Sequence, residues 1–117
     1  MDGEISKAEL KAARTNGQEP LIIDIRSPMR YQQEHIEGSI NIPLAQLPAE
    51  IERVADEDHV VTVCPHGKSS VRAAQLITSF EAFGGRVESL SCGLSGWDGE
   101  VTTAEDGQSR SSADAPF

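Results

Sequence analysis

Val60-Val61-Thr62-Val63-Cys64-Pro65-His66-Gly67-Lys68-Ser69-Ser70 carries the clearest structural signal in the chain. Successive β-branched residues suit a pleated, covered backbone better than a helix, so residues 60–63 read as a strand. The strand runs into a polar loop holding a proline and a glycine. Beyond the loop, Ala73, Leu76, Ile77, Phe80 and Phe83 form one apolar stripe of helical period, which Gly84-Gly85 is expected to stop. Arg86-Val87-Glu88-Ser89-Leu90 then alternates and reads as a second strand.

The N-terminal half repeats this alternation. Ser6-Lys7-Ala8-Glu9 has the form of a capping box opening a short helix that Asn16-Gly17 ends. Leu21-Ile22-Ile23, closing on Asp24-Ile25-Arg26, is a continuous apolar run between prolines and reads as a buried strand. Ser27-Pro28 is an N-cap followed by a first-turn proline, predicting a helix through Gln33. Ile40 and Ile42 alternate up to Pro43, and Pro48 to Val54 forms a helical turn or two. Strands alternating with helices make an α/β fold with a mostly parallel sheet, in which ligands bind beyond the carboxyl ends of strands. The loop at 64–70 occupies such a place.

A length of 117 residues fits one domain. Residues 1–99 are expected to form it, and the Ser/Asp/Glu/Gly-rich stretch 100–117 to be a loose tail. With 19 acidic and 10 basic residues the net charge is -9, which disfavours nucleic acid and anionic membranes as partners. No apolar run is long enough to span a membrane and no secretory signal is visible, so a cytoplasmic location is expected. Cys64 and Cys92 lack Cys-x-x-Cys spacing, and His35, His59 and His66 form no ligand run, so no metal is expected. A monomer or weak homodimer is the expected state.

The chemistry concentrates at Cys64. A thiol between a strand end and a helix N-terminus meets unpaired N–H groups and partial positive charge, which favour the thiolate. Gly67 lets the backbone curl into an anion-binding nest. Pro65 contributes no amide and keeps Cys64 extended. His66 and Lys68 can add positive charge, and Ser69 and Ser70 hydroxyl donors. The loop suits an anionic sulfur and an anionic ligand.

The chain resembles the single-domain rhodaneses, a sulfurtransferase family. Leu21-Ile22-Ile23-Asp24-Ile25-Arg26 resembles the family's strand with its Asp-x-Arg ending. Glu34-His35-Ile36-Glu37-Gly38-Ser39-Ile40-Asn41-Ile42-Pro43 resembles its His-Ile-x-Gly-Ala-x-Asn-Ile-Pro stretch. The Cys64 loop and Cys92-Gly93-Leu94-Ser95-Gly96-Trp97 complete the match, over about residues 4–98. The resemblance implies a five-stranded, mostly parallel sheet flanked by helices. It implies that Cys64 is a nucleophile that accepts sulfur from a thiosulfate-like donor, becomes a persulfide, and passes the sulfur to a thiol, a protein acceptor or cyanide, without a cofactor. Main-chain amides of about residues 66–70 would hold the persulfide, with Asp24 and Arg26 bordering the loop. Pro65 stands where many members carry arginine, and Cys92 where many carry glycine.

Other readings compete. Phosphatases and arsenate reductases place an arginine six residues after the cysteine to clamp an oxyanion; here that residue is Ser70. A non-catalytic or regulatory rhodanese-like module is a further alternative, although Cys64 is present. Cys92 is expected to fill a turn rather than to resolve the persulfide. His35 is expected to be structural, His59 solvated, Trp97 part of the core or its cap, and Arg72 on the polar side of its helix.

Overall fold

The computed structural model describes residues 3–103. In chain order the elements are β1 (Glu4–Ile5), α1 (Lys7–Thr15), β2 (Leu21–Asp24), α2 (Pro28–Gln33), β3 (His35–Ile36), β4 (Ile40–Asn41), α3 (Leu47–Glu50), β5 (His59–Val63), α4 (Ser69–Ser79), β6 (Arg86–Leu90) and β7 (Val101–Thr102). Short 3-10 turns at Leu44–Gln46 and Ile51–Val54 flank α3. The fold is a five-stranded sheet in the order β1-β6-β5-β2-β4 with every pairing parallel, flanked by helices.

Local chemistry accounts for the helix starts. Ser6 Oγ accepts the Glu9 amide while Glu9 accepts the Ser6 amide, completing the capping box. Ser27 caps α2 through the Arg30 amide, with Pro28 in the first turn. Along β2 and β5 successive side chains alternate between faces. Ile23 and Val60 pack with Leu47, Ala73, Ala74 and Ile77 under α3 and α4. Ile22, Val61 and Val63 pack with Leu10 of α1, and with Ile5, Ile36 and Leu90. Both faces are covered, as the apolar runs of β2 and β5 demand.

Two boundaries differ from the sequence reading. Helix α4 ends at Ser79, because Phe80 turns extended (φ -80, ψ 117). Phe83 is still buried, but through a turn in which its amide donates to the Phe80 carbonyl. The C-terminal boundary expected after residue 99 also moves. Val101–Thr102 pairs antiparallel with His35–Ile36, and the Glu37 amide donates to the Glu100 carbonyl, so these residues belong to the folded unit. The rest of the expected tail, 104–117, lies outside the described residues.

Strand β2 is followed on one side by β4 and on the other by β5 and β6. The crevice beyond the carboxyl ends of β2 and β5 is therefore the switch point of the sheet, where such folds bind ligands. Residue Ile77 is fully buried between α4 and this sheet. Ile77→Ala is expected to lower stability by roughly 2–5 kcal/mol, read as a reduced urea midpoint with an unchanged slope.

Candidate active site

The loop Cys64–Lys68 leaves β5 at the switch point and enters α4. Lys68 stands at the N-cap of α4 with no side-chain hydrogen bond to the helix. The amides of this helix start are free to serve something else, and part of that service goes to sulfur. The Gly67 amide donates to Cys64 Sγ at 3.1 Å, and Ser70 Oγ lies 3.3 Å from the same atom. Burial pushes the Cys64 thiol up. The Ser70 hydroxyl and the amides of Ser70, His66 and Gly67 outweigh that effect and hold it below its ordinary range.

Ser70 is itself fixed from two sides. Its hydroxyl lies 2.6 Å from Ser89 Oγ, and its carbonyl accepts the Thr62 hydroxyl at 2.7 Å. All three side chains are buried. When Cys64 is a thiolate, the Ser70 proton is committed to sulfur, so the Ser89 hydroxyl must donate to Ser70. The pair forms a relay aimed at the anion.

The loop is clamped from behind by residues 92–97. The Leu94 amide donates to the Cys64 carbonyl at 2.8 Å and the Ser95 amide to the Pro65 carbonyl at 3.0 Å. Two left-handed glycines make this approach possible. At Gly67 (φ 79) a Cβ would lie 2.3 Å from the Ser91 carbonyl oxygen, and at Gly93 (φ 67) a Cβ would lie 2.4 Å from that of Pro65.

Cys64 is only 2% exposed and joins the core cluster beneath α4, more enclosed than a polar loop suggests. It nevertheless lines a cavity of about 290 Å³, together with Arg26, Ser27, Arg30, Leu44, Pro65 and Ser69. Of the loop residues singled out in the sequence, Gly67 and Ser70 touch the sulfur, His66 offers its amide, and Ser69 lines the cavity. The His66 ring is exposed and lies 3.2 Å from Ser95 Oγ. The Lys68 side chain is exposed and does not line the cavity.

Asp24 and Arg26 form a buried, bidentate pair: Arg26 Nε reaches Oδ1 at 2.9 Å and Nη2 reaches Oδ2 at 2.8 Å. Arg26 Nη2 also donates to the Glu34 carbonyl, tying the end of β2 to the start of β3. Arg26 lines the cavity with its charge satisfied by Asp24. Arg30, which sequence reasoning missed, lines the same cavity with no ion-pair partner among the described residues. The available signal was its position: three residues after the Ser27 cap, on a helix starting just beyond the end of β2.

Cys92 packs on the other sheet face, against the cluster around Leu10 and Val61, and its thiol donates to the Gly93 carbonyl. The two thiols belong to opposite faces, which fits a turn-filling role for Cys92.

A rhodanese-like domain matches residues 6–100. The chain belongs to the rhodanese-like domain family. Thiosulfate sulfurtransferase PspE of Escherichia coli is 41% identical over 58 residues, 48% of this chain and 56% of PspE, so the match spans little more than half of that relative. Thiosulfate sulfurtransferase GlpE of Tolumonas auensis is 30% identical over 65% of this chain and 70% of its own length. A rhodanese-like domain protein of Staphylococcus aureus superposes with a TM-score of 0.75 at 21% identity, covering 90% of this chain and all of that one, a likeness of fold. No helix among the described residues of this rhodanese-like chain is long and apolar enough to cross a membrane.

Since the Cys64 thiol ionises below its ordinary range, alkylation by iodoacetamide is expected to reach half its plateau at a lower pH than for a free cysteine. The same bonds stabilise the fold above the thiol's unfolded value, a contribution lost as pH falls through the native one. Ser70→Ala should move the alkylation midpoint upward and slow the reaction at neutral pH roughly fivefold, the worth of one hydrogen bond of about 1 kcal/mol. Ser89→Ala should move it in the same direction by less.

Proposed function

We propose that this chain is a sulfurtransferase that carries sulfane sulfur as a Cys64 persulfide. The supporting observation is the set of donors around Cys64 Sγ, set at the wall of a cavity that also holds Arg30. The thiolate attacks the outer sulfur of a thiosulfate-like donor. The donor's S–S bond breaks, sulfite leaves with the bonding electron pair, and Cys64 holds one more sulfur. An acceptor thiolate, or cyanide in an assay, then attacks that outer sulfur, and the Cys64 thiolate leaves.

The chain's own groups suffice for both halves. The amides of His66, Gly67 and Ser70 hold the anionic sulfur, and the Ser70 hydroxyl adds a fourth donor. Arg30 holds the donor's anionic end, with Lys68 and His66 adding positive potential at the mouth and Ser69 lining the wall. Asp24 and Arg26 position the loop. Neither half requires a metal or an organic cofactor, and a cytoplasmic, thiol-rich setting suits the acceptor step.

Phosphoryl chemistry fits the site poorly. Ser70, at the position of an oxyanion-clamping arginine, is buried and committed to Ser89 and to sulfur. A purely regulatory role leaves the lowered thiol without a use, whereas relay of sulfur to a protein partner uses the same persulfide.

Cys64→Ser should show no gain of a sulfur atom by intact-mass analysis after incubation with thiosulfate, and no cyanide-dependent turnover. A fully active Cys64→Ser protein overturns the reading. Arg30→Ala should raise KM for thiosulfate about tenfold or more, as loss of a charge-assisted hydrogen bond of about 1.5–3 kcal/mol implies, with Lys68→Ala weaker.

A further inference from the structure

The basic side chains divide sharply by location. Lys7, Lys11, Arg14, Arg26, Arg53 and Arg86 each lie within ion-pair distance of a carboxylate. Among the described residues, Arg30, Lys68 and Arg72 do not. All three belong to segments beside the Cys64 cavity, α2 and the cysteine loop with the first turn of α4. Arg30 lines it, Lys68 belongs to the cysteine loop, and Arg72 stands four residues beyond Lys68, on the same side of the start of α4. In a chain of net charge -9, an unneutralised basic rim at this one place gives the surface a strong local sign.

The rim borders a trough. A second cavity of about 500 Å³ is lined by Leu44, Ala45, Pro48, Arg72 and Leu76, and Leu44 lines the Cys64 cavity as well, so the two are neighbours across that side chain. The walls come from the 3-10 turn before α3, from α3 itself and from α4. On the α2 side of the mouth, next to Arg30, Met29 is 70% exposed. Cys64 itself is 2% exposed, so a folded surface cannot reach its sulfur by resting on the rim. A thiol on a narrow, extended chain can.

We propose that the trough formed by Leu44, Ala45, Pro48 and Leu76, with Arg72, Lys68 and Arg30 at its edge, docks an extended, acidic, cysteine-bearing segment of a protein sulfur acceptor. The proposal rests on the persulfide reading and names the partner of its second half. Apolar side chains of the segment lie in the trough, its carboxylates face the three cations, and its thiol enters the Cys64 cavity. There the acceptor thiolate attacks the outer sulfur of the Cys64 persulfide. A new S–S bond forms on the acceptor, the Cys64 Sγ–S bond breaks, and Cys64 takes the electron pair as thiolate. One sulfur moves and no oxidant or reductant is consumed.

The test uses the full chain loaded with thiosulfate or, where that does not load it, with mercaptopyruvate, and checked by intact mass. Two synthetic peptides of equal length, each with one cysteine and two leucines, carry either aspartate and glutamate or lysine at the remaining positions. Sulfur transfer to each is followed by peptide mass at low and high salt, and cyanide turnover is measured alongside. The acidic peptide is expected to accept sulfur about fivefold or more faster at low salt, an advantage that high salt removes. Arg72→Ala and Ala45→Glu, both outside the Cys64 cavity, are each expected to reduce transfer to the acidic peptide about fivefold and leave cyanide turnover unchanged. Equal rates for the two peptides, or variants that transfer like the parent, overturn the docking surface while the persulfide reading stands. A chain that gains no sulfur from either donor overturns both.

Discussion

The hydrogen bond from the Gly67 amide to Cys64 Sγ, 3.1 Å long, depends on a backbone turn that only glycine makes without strain. At φ 79 the amide at 67 looks back toward the residue three places earlier, and the missing Cβ leaves room for the Ser91 carbonyl. Gly93 gives the reciprocal clearance to Pro65, and the amides of Leu94 and Ser95 then bind the carbonyls of Cys64 and Pro65. Two loops from different strand ends are thus pressed back to back, each needing the other's glycine. A nest held this rigidly can afford a buried anion, because donors that cannot swing away offset the desolvation of the thiolate at every moment.

The same rigidity sorts the charges near the sulfur into two kinds. The Asp24–Arg26 pair is nearly excluded from solvent, and its bidentate geometry leaves little charge to offer a ligand. What it supplies is shape, through Arg26 Nη2 on the Glu34 carbonyl and through Asn41, whose side-chain amide reaches the carbonyls of both Asp24 and Arg26. Arg30 supplies charge without comparable constraint. The cavity wall thus combines an internally neutralised arginine, Arg26, with Arg30, which has no ion-pair partner among the described residues.

How much of this could be read in advance follows the range of the interactions. The Ser6–Glu9 box, the Ser27–Pro28 start and the apolar run of β5 are settled within a few residues of chain, and they stand as the residues suggest. The end of α4 is not legible in the sequence because Phe83 keeps the helical stripe while leaving the helix in space; its burial is obtained through a turn. Strand β7 was invisible because two residues of a polar stretch are ordered only by pairing with β3. Arg30 and Ser89 escaped notice for a related reason. Neither belongs to a local pattern with Cys64, and each reaches the site through a different strand end. Gly67 and Ser70, by contrast, are within six residues of the sulfur, and their residue types in that loop, a glycine and a hydroxyl donor, mark them.

Thr62, Ser70 and Ser89 are buried polar groups in an otherwise aliphatic layer, and such groups carry a cost unless they satisfy one another. They do: Thr62 bonds the Ser70 carbonyl, and Ser89 the Ser70 hydroxyl. Thr62 stands in β5 two residues before Cys64 and pairs in register with Ser89 of β6. The sheet register, a property of the whole core, thereby determines where the Ser70 hydroxyl stands. The electrostatics of the sulfur are in this way a consequence of strand pairing, which explains how so small a domain can bring the ionisation of a thiol set against its own hydrophobic interior below its ordinary range.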